Sequence, residues 1–342
     1  MRKRFLTGYA AAAALFAGCL VAQPGTAEAR DFYAGRNITI VVGGGAGASL
    51  GVYCYLIAQH WPRHIPGKPD VICQFQPGAG GTKAASYMAN AAPKDGTYVG
   101  EVLAPSVLAP VLRDVKFDAK KFQWLGSITP RAAVITVWHT APALTVDQAK
   151  TTEVVMGSTG KGSESYLIPK FMNAVLGTRF KIIEGYKAAL MNDAMPRGEL
   201  HGRQNYWSGW VTVKEDWIRE KKIVQLVQYG PPIPELPDTP TLKSLMPDAE
   251  HRKMVEFFEV ATNLGMGFYA PPGVPADRLA ILRESFMATM RDPAFLADAK
   301  SRRADVDPIS GDKVQEIVEK GLDVPESLLE KLRGYLDFKK KG

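Results

Sequence analysis

Two periods of apolar and polar positions alternate through the first third of the chain. Residues 38–42 (I-T-I-V-V) are a short β-branched run, the pattern of a buried strand. Leu50, Tyr53, Cys54, Ile57, Ala58 and Trp61 then recur at helical spacing and fall on one face of a helix. Pro62 and the turn I-P-G-K-P stop it. A strand is predicted over 71–75, a helix over 82–92 ended by P-K-D-G, and a third strand over 97–103. This β-α-β-α-β order predicts a parallel sheet with both faces covered. Farther on, strands are predicted over 134–138, 153–156, 180–184 and 223–229. A helix runs through Ile168, Phe171, Met172, Val175 and Leu176, with Gly177 as its C-cap. After the proline-rich connector 231–240 the chain reads as helical, over 276–290, 293–304, 312–320 and 325–336.

Residues 1–29 stand outside this pattern. Arg2, Lys3 and Arg4 precede an apolar stretch, and Ala27-Glu28-Ala29 is an A-x-A cleavage site, so this segment reads as a secretory signal peptide. F-A-G-C, ending at Cys19, is a lipobox that departs from the pattern at Phe16; lipid anchoring there is the alternative to simple cleavage. No later apolar run is long enough to span a bilayer as a helix, which predicts a soluble mature chain. Of 342 residues, those after the leader suffice for two lobes. The formal net charge of +7 suits an anionic ligand, but no basic run interleaves with aromatics, which argues against nucleic acid. Lys339, Lys340 and Lys341 read as a solvated tail. Cys54 and Cys73, the two cysteines beyond the leader, fall on consecutive elements of an exported chain. They permit a disulfide worth about 3 kcal/mol of chain entropy; the alternative is two buried thiols. With no histidine nearby they are not a zinc site.

Candidate chemistry concentrates in glycine-rich loops, each between a strand and a helix. The first is V-V-G-G-G-A-G-A-S-L-G over 41–51, the second Q-P-G-A-G-G-T over 76–82, the third G-S-T-G-K-G-S over 157–163. Such turns bare backbone N–H groups at a helix N-terminus and attract a carboxylate or phosphate. Catalytic readings fare less well. Gly43 to Ala48 fits a loose G-x-G-x-x-A, but the second strand ends in Cys73-Gln74-Phe75-Gln76, without the acid a dinucleotide site needs. Gly47-Ala48-Ser49-Leu50-Gly51 fits G-x-S-x-G, yet one strand precedes it where a hydrolase has several, and the five histidines stand in no telling context. Ser49 reads instead as an N-cap or ligand hydroxyl. The third loop lacks the spacing, and the hydroxyl after its lysine, that a P-loop requires. Tyr206, Trp207 and Trp210 are either core or the wall of an apolar pocket.

Three groups of motifs carry a resemblance. They are I-P-G-K-P-D-V-I-C-Q-F-Q-P-G-A-G-G with A-P-K-D-G-T, G-Y-K-A-A with M-P-R-G-E-L-H-G-R, and Y-A-P-P-G-V-P-A-D-R-L with D-P-A-F-L. In that order, behind a signal peptide, they make the chain resemble the substrate-binding proteins of tripartite tricarboxylate transporters, the Bug family, over nearly all of its mature length. The resemblance implies a periplasmic, monomeric, two-lobed α/β binding protein, each lobe a mainly parallel sheet flanked by helices. Residues 30–130 and 263–342 would form lobe 1 and residues 131–262 lobe 2, with crossings at 127–136 and 261–269. It implies no catalysis and no cofactor, a small organic acid as ligand, and membrane permease subunits as partners. Carried over by position, the first lobe would hold a carboxylate through Gly45, Ala46, Gly47, Ala48, Ser49, Gly78, Ala79, Gly80, Gly81 and Ser106. The second lobe would contact it through Ser158, Thr159, Gly160, Ser163, Tyr186, Asn205, Tyr206 and Trp207. Arg203 would either pair with a distal carboxylate or lie on the surface. The chain departs from the family at Gly51 and Tyr55, where an Asp and often an Arg stand, and at Ala188 and Ala189, which replace the usual glycine. A secreted serine hydrolase using Ser49 and a ligand-sensing module for a membrane receptor are the competing functions.

Overall fold

The computed structural model describes residues 31–47 and 49–338; the leader with Cys19, Ala48 and the terminal lysines lie outside the described residues. Strands β1 (Asn37–Val42), β2 (Asp70–Phe75), β3 (Tyr98–Glu101), β4 (Gln123–Ser127), β10 (Gly267–Ala270) and β11 (Ile309–Ser310) make one sheet, in the order β11-β4-β10-β3-β1-β2. Strands β5 (Ala133–Trp138), β6 (Val154–Gly157), β7 (Phe180–Ile183), β8 (Gly202–Tyr206) and β9 (Ile223–Tyr229) make the other, in the order β7-β6-β8-β5-β9. Helix α1 (Ser49–His60) links β1 to β2, and α2 (Thr82–Asn90) links β2 to β3. In the second sheet α3 (Glu164–Leu176) follows β6, α4 (Ala188–Ala194) follows β7 and α5 (Trp207–Val213) follows β8. Gly177 caps α3 in the left-handed region, at φ 72°. Helices α6 (Ala249–Leu264), α7 (Ala276–Thr289), α8 (Pro293–Ser301), α9 (Gly311–Gly321) and α10 (Glu326–Tyr335) complete the chain.

Both sheets are mixed rather than mainly parallel. β1 pairs parallel with β2 and β3, and β6 with β7 and β8. β10 runs against β3 and β4, β11 against β4, and β5 against β8 and β9. The chain crosses between sheets after β4 and again before β10. A strand entering from a crossing starts at the edge where the parallel strands end, so it runs the other way. Periodicity missed β4, β8, β10 and α6. β8 reads G-R-Q-N-Y, with no apolar alternation, yet its first three residues are buried.

One apolar cluster lies between the first sheet and α1, α7 and α8, around Ile40, Leu56, Trp61, Phe268 and Phe286. A second is continuous from the opposite face of that sheet (Val41, Met88, Trp124) into the second sheet (Ile135, Phe171, Val227). α10 helps join them: Arg333 Nη2 donates to the Val111 carbonyl at 2.7 Å, and Tyr335 meets Phe171 edge-on. A Cys54–Cys73 disulfide, with Cα atoms 6.2 Å apart, fastens α1 to β2. It braces the scaffold behind the first two glycine loops.

Candidate functional site

The parallel strands β1 and β3 end together, and their loops meet there. In the first loop Gly45, Ala46 and Gly47 are exposed. Gly51, one turn into α1, is buried against this loop: a Cβ there would overlap the Ala46 carbonyl. The missing side chain is thus what lets the loop fold back on the helix. The first-helix Asp implied by the resemblance has no room in this backbone. Tyr55 points outward, 46% exposed, against Phe75.

The second loop holds four successive residues at positive φ: Gly78 (143°), Ala79 (48°), Gly80 (67°) and Gly81 (86°). Glycine adopts these angles without strain. The Ala79 carbonyl accepts from Thr82 Oγ1 at 2.9 Å and Arg113 Nη2 at 3.1 Å. Ser106 is buried in the 3-10 turn Ala104–Leu108, which packs on this loop.

The second and third loops touch although they belong to different sheets. A Cβ on Gly80 would lie 2.6 Å from the Gly162 carbonyl oxygen, and Arg113 flanks the same contact. The third loop is closed by its own hydroxyls. Ser158 Oγ accepts from the Gly160 N–H at 3.0 Å, and Ser165 Oγ from the Thr159 N–H at 3.1 Å. Ser163 Oγ donates to the Gly160 carbonyl at 2.7 Å. Tyr186 sits behind this loop, half-buried, its N–H on the Ser158 carbonyl.

Arg203 is buried, which overturns the surface alternative. Its Nη1 donates to the Ala188 carbonyl and to Asn192 Oδ1, and its Nε to the Gln204 carbonyl. It fastens α4 to β8 within the second sheet. Burial brings its guanidinium down to about 10. Trp210 is core rather than pocket wall: fully buried, it donates from Nε1 to Thr136 Oγ1 at 3.1 Å and packs against Trp217. Trp207 is buried in the same cluster, and Asn205 is half-buried beside Gly209.

Tyr206 leads to residues that pattern reading missed. The Arg131 guanidinium stacks on its ring, 3.7 Å from the centroid. Arg131 sits in the crossing between β4 and β5 and is 6% exposed. Its Nη2 donates to Ser49 Oγ at 3.1 Å, so one side chain touches the start of α1 and the end of β8. Guanidinium has no capacity to accept a proton. The base that a nucleophilic Ser49 needs is therefore not its partner. His60, His64 and His251 are engaged with Asp298, Asp292 and Asp248.

Two buried acids complete this junction. Glu101 ends β3, and burial drives its carboxyl well above the usual range, with Arg131 opposing. Burial pushes Glu164, at the start of α3, up to about 7, against the lowering influence of Tyr206, Arg131, Tyr229 and Gln204. Gln204 Nε2 donates to Glu164 Oε2 at 3.2 Å and to the Tyr229 hydroxyl at 2.9 Å. The one sequence signal was a charged residue abutting an apolar strand or a glycine loop, which does not reveal a shared destination.

No family model matches the chain. It is similar to a UPF0065 protein of Bordetella bronchiseptica, 26% identical over 295 residues, covering 82% of this chain and 81% of that one. A solved structure of the periplasmic binding protein BugD aligns with a TM-score of 0.68 at 19% identity, covering 91% of this chain and all of that one. MatC from Rhodopseudomonas palustris, solved with bound malate, aligns at 0.66 and 18% identity, covering 87% and 99%. The fold is that of the two-lobed periplasmic binding proteins. The resemblance to the Bug family drawn from the motifs is matched by this sequence relative and by these structures.

Proposed function

We propose that this chain is a periplasmic solute receptor that closes its two lobes on a carboxylate-bearing organic acid and hands it to the permease of a tripartite tricarboxylate transporter. The observation that carries this reading is Arg131: a buried cation in the crossing between the sheets, touching Ser49 on one side and Tyr206 on the other. A guanidinium placed there suits an anion held between the lobes. The glycine loops at 43–47 and 78–81 supply uncharged backbone around it. The close approach of Gly80 to Gly162, which brings the second and third loops together, supports a site to which both contribute.

The lobes in this reading are 30–130 with 263–342, and 131–262; the membership of the two sheets supports those boundaries. Closure is a hinge motion at the crossings, biased by contacts the ligand makes only in the closed state. The receptor works as a monomer, needs no cofactor and turns nothing over. The BugD and MatC structures support the periplasmic, carboxylate-binding part of this reading through their shared fold.

The test is a thermal-shift screen of the mature protein, freed of ligand by unfolding and refolding. Its panel holds mono-, di- and tricarboxylates, aromatic acids, phosphate esters and neutral sugars. An acid at 100 times its dissociation constant adds about 2.7 kcal/mol, a shift of a few degrees. Stabilisation by carboxylates alone is the expected result. Silence across all acids, or a response confined to sugars, overturns the reading.

A further inference from the structure

Buried polar atoms without partners are rare in folded proteins, so where they gather is informative. Among the described residues six such side-chain atoms occur: Glu101 Oε1 and Oε2, Arg131 Nε, Glu164 Oε1, Trp207 Nε1 and Trp124 Nε1. Four of them, on Glu101, Arg131 and Glu164, belong to residues at the junction of the sheets. Arg131 ties these together, on Ser49 and Tyr206 and in the electrostatic reach of both Glu101 and Glu164. Trp207 packs instead with Trp210 in a separate cluster of the second sheet. The Tyr206 and Tyr229 hydroxyls stand beside Glu164 without meeting hydrogen-bond geometry at Oε1.

These atoms are of two kinds. Arg131 Nε is a donor that wants an acceptor; the carboxyl oxygens of Glu101 and Glu164 want a donor. An unsubstituted aliphatic acid meets the first need alone, and brings its charge toward two buried carboxyls. Even protonated, each carboxyl gives one O–H and keeps acceptor lone pairs. A hydroxyl or ammonium next to the ligand carboxylate meets both needs at once.

Building on the receptor reading, we propose that Glu101, Arg131 and Glu164 form a recognition subsite that selects hydroxy- or amino-carboxylic acids over unsubstituted ones. The carboxylate accepts from Arg131, and the substituent donates to Glu101 or Glu164. A site built to satisfy a ligand donor rejects the analogue that lacks it, because its buried acceptors are then left unpaired.

Isothermal titration of the mature protein tests this with matched acids of three to six carbons, each unsubstituted, hydroxylated or aminated; the four-carbon set is succinate, malate and aspartate. In at least one set the substituted acid should bind 10-fold or more tightly than its parent. That ratio should collapse in Glu101→Leu and in Glu164→Leu, which remove the acceptor, with circular dichroism confirming that each variant is folded. If one variant fails to fold, the other decides. An amino acid that beats its hydroxy counterpart, with proton release that scales with buffer ionisation enthalpy, assigns the substituent as ammonium. Parents that bind as tightly as substituted acids, or a ratio that survives both substitutions, overturn the subsite and leave the receptor standing. No acid binding at all overturns the receptor reading with it.

Discussion

The glycine loops and the junction around Arg131 share the Ser49–Arg131 hydrogen bond and little else in their construction. The loops at 43–47 and 78–81 are backbone, exposed at their tips; in the second, positive φ angles and the approach of Gly162 and Leu103 leave room only for glycine at 80 and 81. The junction is buried, charged and made of side chains from β3, the β4–β5 crossing, α3, β8 and β9. The second loop depends on the absence of atoms, and one added methyl group at Gly80 or Gly81 disturbs it. The junction depends on charge balance, and removal of one charge unbalances two others. In the proposed receptor the loops would hold any carboxylate as a generic anion, and the junction would decide which anion is preferred.

Breaking the junction should show the larger effect. At pH 8, above the range in which the folded chain holds its proton, Arg131→Met leaves Glu164 without a counter-charge and should cost about 3 kcal/mol or more of stability, read by urea denaturation. A loss under about 1 kcal/mol would mean that both acids are already neutral and that the guanidinium is not needed to balance them. The loops break differently. Gly80→Val introduces a Cβ against the Gly162 carbonyl at a φ of 67°, and acid affinity should fall about 100-fold, roughly 2.7 kcal/mol, with circular dichroism unchanged. Wild-type affinity in that variant would remove the second loop from the site.

The comparison sharpens with pH, because the loops carry no titrating group. Glu164 is held at about 7 in the folded chain against a reference of 4.5. Between those values the folded chain holds a proton that the unfolded chain has lost. This contribution is therefore full below about pH 4.5, falls as pH rises through 7, and is flat above. Glu101, also raised by burial, acts in the same direction. Stability should drop by about 2.5 kcal/mol or more between pH 5 and pH 8, and Glu164→Gln should remove that residue's share of the slope and leave the share of Glu101. Smallest is the shared bond: Ser49→Ala should cost about 1 kcal/mol, and any slow ester hydrolysis by the preparation should persist in it. Hydrolysis that vanished with Ser49 would revive the enzyme reading.

Much of the loop side was legible in the chain. The β-branched run of β1, the helical spacing from Leu50 to Trp61 and the intervening glycines are local signals, and the elements appear within a residue or two of the expected ranges. Gly51 shows the limit. As a residue it was visible as a departure, but its reason, the Ala46 carbonyl folded against it, is a contact. The junction was scarcely legible. Arg131 reads as an ordinary charge in a loop and Glu101 as the polar end of a strand. Arg203, the more conspicuous arginine in G-R-Q-N-Y, turned out to be engaged with Ala188, Asn192 and Gln204. The aromatic run divided as well: Trp210 went to the core, while the Tyr206 ring faces Arg131.

By itself the sequence determined the α/β class, the parallel strand–helix units and the three glycine loops, because periodicity and turn chemistry act over neighbouring residues. Only the tertiary structure decided that the sheets are mixed, that the second and third loops touch, and that Arg131 is buried against Tyr206 within the electrostatic reach of Glu101 and Glu164. Those outcomes turn on which strand enters from a crossing and on the cost of burying charge. Both depend on what surrounds a residue in space, which its neighbours in the chain do not specify.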